Sequence, residues 1–223
     1  MEPLSVGVHS VATLAQFKTG QTIAVWGAGP VGLLCMAVAK ALGASRIVAV
    51  DINQTRLDFA KSYAATDVFM PPASKSGESG VEYSKRSAGM LKQALGIEDR
   101  GPTAIDVVIE ASGAEVSIQT ALFVVKTGGT YVQVSRQTVC YSSPDSLPQV
   151  GMGTAEVVIP ITMLLVKELN VKGSFRYGVR PLSFLHRQIQ SNADSSLQPG
   201  DYKLAISLAA QGKIDLKPLV THR

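Results

Sequence analysis

The stretch that most restricts what this chain can fold into is TIAVWGAGPVGLLCMAVAKALGASRIVAVD, Thr22 to Asp51. Thr22–Gly27 is a continuous apolar run that ends in glycine, the pattern of a parallel strand buried on both faces. Pro30–Ala44 has proline at its start and Gly43 near its end, the asymmetry of a helix. Arg46–Asp51 is a second buried strand. Between the first strand and the helix, Gly27, Gly29 and Gly32 are spaced G-x-G-x-x-G. Glycines at this spacing mean little alone, but here they leave a strand and open a helix, as a dinucleotide loop requires. Gly27 permits the tight turn, Gly29 lets the backbone approach a pyrophosphate, and Gly32 lets helix and strand pack closely. Pro30 opens the helix without an N–H of its own, and the free N–H groups at the helix start, from Val31 onward, face the phosphate charge. Asp51 ends the second strand at the spacing of an acid that binds the adenosine ribose hydroxyls. A carboxylate there repels a 2′-phosphate, so the expected cofactor is NAD rather than NADP. Arg56, one turn into the next helix, is expected near the adenine.

The same alternation continues. Asn53 is the expected N-cap of a helix over NQTRLDFAKSYAA, DVFM is a short third strand, and Pro71–Gly80 is a surface loop rich in Pro, Gly and Ser. A helix is expected over YSKRSAGMLKQALG and a strand over Ala104–Gly113. The helix AEVSIQTALFVVKTGG is expected to close at Gly128-Gly129, followed by the strand TYVQV. IPITMLLVKE is a helix, LNVKGSFRYG a strand and DYKLAISLAAQGKI the last helix. Strands alternating with helices imply an α/β fold: a doubly wound parallel sheet, a Rossmann-type NAD-binding domain occupying residues 1–223.

Composition narrows the function classes. The chain has 223 residues, 46% hydrophobic and 17% charged, which suits a packed core and argues against disorder. The net charge of +4 comes from scattered Lys and Arg, so no nucleic-acid surface is expected. No apolar run is long enough to span a bilayer and no signal peptide is visible at the start, so a cytoplasmic protein without a membrane partner is expected. The two cysteines, Cys35 and Cys140, lack a C-x-x-C partner. Of the three histidines, His9 lies on an apolar helical stretch, His186 in a polar region and His222 near the end, with no metal-ligand spacing among them.

At this point the chain resembles the zinc-dependent, medium-chain polyol dehydrogenases. The matching segments are EPLSVGVHS (Glu2–Ser10), GAGPVG (Gly27–Gly32), VDINQTRLDFAK (Val50–Lys61), IEASGAEVSIQTA (Ile109–Ala121) and VGMG (Val150–Gly153). IPITMLLVKELNVKGSFRYG (Ile159–Gly178) and GKIDLKPLVTHR (Gly212–Arg223) complete the set. Within the family the chain is most similar to fungal xylitol dehydrogenases (D-xylulose reductases), followed by L-arabinitol and sorbitol dehydrogenases. The resemblance implies NAD contacts from Val31, Asp51, Arg56, Val150, Gly151, Met152, Ser174, Phe175 and Arg176. It implies that Arg176 and Tyr177 reach a polyol and that Glu2 stands beside a catalytic zinc and its water. It also implies a homo-oligomer, a tetramer formed through the sheet edge. The family's zinc ligands, a Cys and an adjacent His-Glu pair, lie in a domain preceding EPLSVG. That domain is expected to be missing here, leaving no metal ligand and a chain that binds NAD without turnover. The alternatives are thus an NAD-dependent polyol dehydrogenase and a non-enzymatic NAD-binding module.

Two stretches break the resemblance. TYVQ (Thr130–Gln133) should run straight into VGMG, and SFRYG into PGDYKLAI from Pro199. Removing Val134–Gln149 and Val179–Gln198 restores both joins, and the first removal explains why Gln-Val is written twice, at Gln133-Val134 and Gln149-Val150. One insert begins Val-Ser and the other Val-Arg, and both end in Gln. GTGAGT encodes Val-Ser, GTAAGG encodes Val-Arg and CAG encodes Gln, so these ends read as translated splice sites of retained introns. True surface loops are the alternative, and irregular structure is expected at both places. Reverse transcription across both regions should return a message lacking them; a message that keeps both defeats the intron reading.

Overall fold

The computed structural model describes residues 2–134, 156–175 and 200–219. The predicted inserts at 134–149 and 179–198 lie outside these residues, apart from Val134. The helices are α1 (Glu2–Val8), which widens into a π-helical turn over His9–Leu14, α2 (Pro30–Ala41), α3 (Gln54–Tyr63), α4 (Gly80–Leu95), α5 (Glu115–Val124), α6 (Ile161–Val166) and α7 (Gly200–Ala210). The strands are β1 (Thr22–Trp26), β2 (Arg46–Val50), β3 (Asp67–Phe69), β4 (Ile105–Glu110), β5 (Val125–Gln133) and β6 (Asn170–Gly173). All pair in parallel, in the order β3-β2-β1-β4-β5-β6. This is the doubly wound, Rossmann-type sheet expected from the sequence.

Side chains of a strand alternate between faces, and here that alternation builds two cores. Ile23 and Val25 of β1, Ile47 and Ala49 of β2, and Val107 and Ile109 of β4 pack with α1, α2, α3 and α7. Their neighbours Ala24, Trp26, Val48, Val50 and Val108 pack with α4 and α5 on the other face. The first face is covered by helices in close contact. A Cβ added to Gly7 of α1 would stand 3.2 Å from the Leu34 carbonyl carbon of α2. On its other side α1 is tied to α7: the buried Asp201 carboxylate accepts a 2.6 Å hydrogen bond from the Thr13 hydroxyl and stands 2.8 Å from His9 Nδ1. His9 is therefore a structural partner of Asp201.

Several element boundaries differ from the sequence expectation, and three have a clear physical cause. The helix expected to close at Gly128-Gly129 ends at Val124, and Val125 is already extended at φ −57°, ψ 139°. The glycines lie inside β5, where the register jumps from Ile105↔Val125 to Val107↔Thr130. Gly128 takes φ +71° and donates 2.7 Å to the Lys167 carbonyl, and a Cβ on Gly129 would meet Val125 Cγ2 at 2.6 Å. The pair makes a bulge in which Gly128 takes the left-handed conformation and Gly129 has no room for a side chain. Helix α4 starts at Gly80, ahead of the expected YSKR start, because Ser79 and Glu82 form a reciprocal capping box: Ser79 N donates 3.0 Å to Glu82 Oε2 and Glu82 N donates 3.3 Å to Ser79 Oγ. Helix α2 stops at Ala41 rather than Ala44, with the turn completed by Gly43 at φ +82°.

The first join with an insert has a clear outcome on its upstream side. The Val134 N–H donates 2.8 Å to the Glu110 carbonyl, so the first Gln-Val copy finishes the strand pairing of β5 with β4. Among the described residues no helix is long and apolar enough to cross a membrane.

Asp201→Ala should release α7 from α1, because it removes a buried ionic acceptor from two donors. The expected loss is about 2–3 kcal/mol of unfolding free energy, read from the urea midpoint at unchanged slope.

Candidate functional site

The chain leaves β1 toward β2 and β3 on one side, then returns to β4, β5 and β6 on the other. A parallel sheet wound this way opens a crevice at the carboxyl ends of β1 and β4. The three glycines meet there and do different work. Gly27 takes φ +89°, and a Cβ on it would lie 2.9 Å from the Ser112 nitrogen, so its turn is seated against the loop after β4. A Cβ on Gly32 would lie 1.8 Å from the Gly27 carbonyl oxygen. Helix α2 can therefore approach β1 only because position 32 has no side chain. Gly29 is the N-cap of α2 at φ −77°, ψ −177°, a conformation open to any residue, and a Cβ on it would meet nothing within 4 Å. Its bareness leaves open space where a phosphate group would sit. Pro30 is exposed at the first helical position and Val31 is half-buried behind it.

Asp51 follows β2 and is 8% exposed. Its Oδ2 accepts a 2.7 Å hydrogen bond from the Ala28 N–H, and its Oδ1 accepts 2.9 Å from Asn53 N. The carboxylate thus braces the glycine loop as well as facing the crevice. Asn53 is the N-cap expected from the sequence, with its side chain accepting 3.1 Å from Arg56 N. Arg56 is largely exposed, with Nη1 3.9 Å from Asp51 Oδ2. Ile52, beside Asp51, is an 82% exposed aliphatic side chain.

On the other side of the crevice Glu110 ends β4 and is fully buried. Its Oε1 accepts from Ser112 N at 3.1 Å and from the Ser112 hydroxyl. Its Oε2 accepts from Gly113 N at 2.8 Å and from Gln133 Nε2 at 2.7 Å. The Tyr131 hydroxyl in turn donates to Gln133 Oε1. Burial pushes the Glu110 carboxyl above its usual range, opposed by the hydrogen bond from Ser112 and the others it accepts. The Tyr131 phenol is also pushed up, by burial and by the Glu110 charge. The sequence alone assigns no site role to Glu110 or Gln133. The available signal was an acid inside VVIEASG, where the pattern demands an apolar or strand-ending residue.

The structure therefore gathers Gly27, Gly29, Pro30, Val31, Gly32, Asp51 and Arg56 around one crevice. Ser174 follows the edge strand β6; its N–H donates 2.7 Å to the Gln133 carbonyl and its Oγ lies 3.2 Å from Ser10 Oγ. Phe175 is 83% exposed. Glu2 is exposed in the first turn of α1. Val150, Gly151, Met152, Arg176 and Tyr177 lie outside the described residues. Cys35 is buried in α2 with its thiol pushed up to about 12 by burial, so it is a packing residue. Among the described residues, no three His, Cys, Asp or Glu side chains come together as a metal site. These residues do not fit a zinc ion, whereas the open space above Gly29 fits a phosphate-bearing ligand.

The profile of a family described as zinc-binding dehydrogenase matches residues 30–190. Two relatives are the probable D-xylulose reductase A of Aspergillus clavatus and the D-xylulose reductase A of Aspergillus niger. Each is 44% identical over 221 residues, which is 99% of this chain and 48% of the relative. The chain thus spans about half the length of these curated relatives. Among solved structures, galactitol-1-phosphate dehydrogenase from Escherichia coli superposes with a TM-score of 0.68 at 24% identity, covering all of this chain and 51% of that one. L-idonate 5-dehydrogenase from Escherichia coli gives a TM-score of 0.64 at 27% identity, covering 98% of this chain and 46% of that one.

The glycines separate folding from ligand approach. Gly32→Ala should cost about 1–3 kcal/mol or more of stability, because the new methyl collides with backbone. Gly29→Ala should leave the denaturation midpoint within about 0.5 kcal/mol of the parent, since the methyl enters open space. Equal destabilisation of the two variants would contradict these assignments.

Proposed function

Because the chain belongs to the zinc-binding dehydrogenase family, we propose that it supplies the coenzyme-binding part of an NAD-dependent polyol dehydrogenase. The substrate pair is xylitol and D-xylulose, with L-arabinitol and sorbitol as the rival polyols. The observation that carries this reading is the Asp51 carboxylate, held at the end of β2 by the Ala28 N–H at 2.7 Å, beside the unobstructed space at Gly29. The D-xylulose reductases at 44% identity support the substrate class.

The residues divide the work. Gly29 gives room for the pyrophosphate, and the N–H groups of Val31 and Gly32 at the start of α2 direct partial positive charge at it. Asp51 accepts hydrogen bonds from the adenosine ribose hydroxyls and repels a 2′-phosphate, which selects NAD over NADP. Ile52 offers an apolar surface to the adenine, and Arg56 lines the same rim. Ser174 and Phe175 extend the crevice past β5, and Val150, Gly151, Met152 and Arg176 complete the nicotinamide side. When bound, NAD accepts a hydride from the alcohol carbon. Arg176 and Tyr177 orient the polyol, and Glu2 belongs to the substrate pocket, beside where the zinc and its water would be held. The zinc that polarises the alcohol in this family needs ligands from outside the described residues. Residues 1–223 are read as one coenzyme-binding domain interrupted by inserts at 134–149 and 179–198. The protein is further assigned to a homo-oligomer and to the cytoplasm. The position of β6, last in the sheet order of the described residues, and the exposed apolar Val158, Ile161, Leu165 and Val166 support the oligomer.

Trp26 immediately precedes the glycine loop and provides the test. NADH added to the purified chain should quench tryptophan emission and raise sensitised NADH emission. Asp51→Ala should weaken this binding about tenfold, corresponding to one charge-assisted hydrogen-bond set. Unchanged affinity in the variant removes Asp51 as the ribose ligand. Absence of NADH uptake by folded protein removes the coenzyme reading. Xylitol oxidation followed with added zinc separates an enzyme, which forms NADH, from a binding module, which does not.

A further inference from the structure

Two acids stand at strand ends on opposite sides of the glycine loop, and only Asp51 has a role in the reading above. Glu110 is the other. It is fully buried, and no Lys or Arg pairs with it among the described residues. A buried carboxylate without a counter-ion is costly, and it persists only where hydrogen bonds to it are well made. Glu110 accepts four: from the consecutive backbone N–H groups of Ser112 and Gly113, from the Ser112 hydroxyl and from Gln133 Nε2. Two successive N–H groups turned into one carboxylate fix the Ala111–Gly113 backbone, with Gly113 at φ +77°. That backbone is the wall on which the Gly27 turn rests: the Ala111 N–H donates 2.8 Å to the Trp26 carbonyl, and Ser112 N is the atom a Gly27 Cβ would strike.

A glutamine would fill the same volume without the charge. Its side chain has a single acceptor oxygen, and its NH₂ group would face N–H donors. The use of a glutamate therefore follows from the need to accept from both backbone N–H groups at once. Asp51 holds the loop from the β2 side through Ala28, and Glu110 holds it from the β4 side through Ser112 and Gly113. A dinucleotide lying across this crevice places its adenosine half over β2 and its other half over β4 and β5.

We infer that Glu110 is a positioning residue for the nicotinamide half of the dinucleotide site, acting through the Ala111–Gly113 backbone that it holds against Gly27. The inference rests on the coenzyme reading above. Its signature is a split between ligands: AMP uses only the adenosine half, and NADH uses both.

The test is binding of AMP and NADH to the full chain and to Glu110→Gln, by calorimetry, together with amide hydrogen exchange. Glu110→Gln should weaken NADH about tenfold or more while AMP affinity changes less than about twofold. The Ser112 and Gly113 amides should exchange faster in the variant, and the Asn53 amide, held by Asp51, should be unchanged. Asp51→Ala should show the opposite pattern, losing AMP as well as NADH. If Glu110→Gln does not fold, Gln133→Met, which removes one donor to the carboxylate, should show the same split at smaller size. Equal losses for the two ligands, or no loss for either, overturn the role of Glu110 alone. A parent chain that binds neither ligand overturns the coenzyme reading, and this inference with it.

Discussion

Gly32 stands so close to the Gly27 carbonyl that a single added carbon would lie 1.8 Å from the oxygen. The angle at which α2 leaves β1 follows from that contact. With α2 so placed, its N-terminal N–H groups point over the crevice, its first turns contact β1 side chains such as Val25, and its far side meets α1 at Gly7. The contact is backbone against backbone, so it has no rotamer by which to relax. A helix start that must aim at a small ligand is better fixed this way than by side-chain packing.

The crevice is stabilised from beneath by two carboxylates with different environments. Asp51 keeps a route to solvent and a guanidinium 3.9 Å away. Glu110 has neither, so burial raises its proton affinity while the hydrogen bonds it accepts, first that from the Ser112 hydroxyl, oppose the rise. Both are attached to the ends of parallel strands, and both accept from loop N–H groups. The loop geometry is thereby tied to the register of the sheet rather than left to the loop's own preferences.

Much of this was legible in the chain. The strand–glycine–helix–strand–Asp unit, the alternation of strands and helices and the N-cap at Asn53 all rest on local spacing, and each appears where expected. The capping box at Ser79–Glu82 is equally local, but the surrounding Pro, Gly and Ser have the composition of a longer loop and mask it. The end of α5 could not be read locally. Gly128-Gly129 resembles a helix stop, and only the pairing of Val125 with Ile105 and the tight space beside Asp106 reveal it as a bulge within β5. The partner of His9, Asp201, lies 192 positions away, beyond the reach of any local pattern.

The sequence by itself determined the fold class, the glycine turn between β1 and α2 and the acid beside it, because glycine spacing and apolar periodicity act over a few residues. Tertiary structure alone decided what surrounds them. A side chain at Gly29 would enter open space and one at Gly32 would strike backbone, although both are simply glycines in the chain. Glu110 is a buried brace, although it reads as an ordinary acid after a strand. These roles depend on which backbone atoms from distant segments arrive within about 3 Å, the range over which hydrogen bonds and steric contacts act.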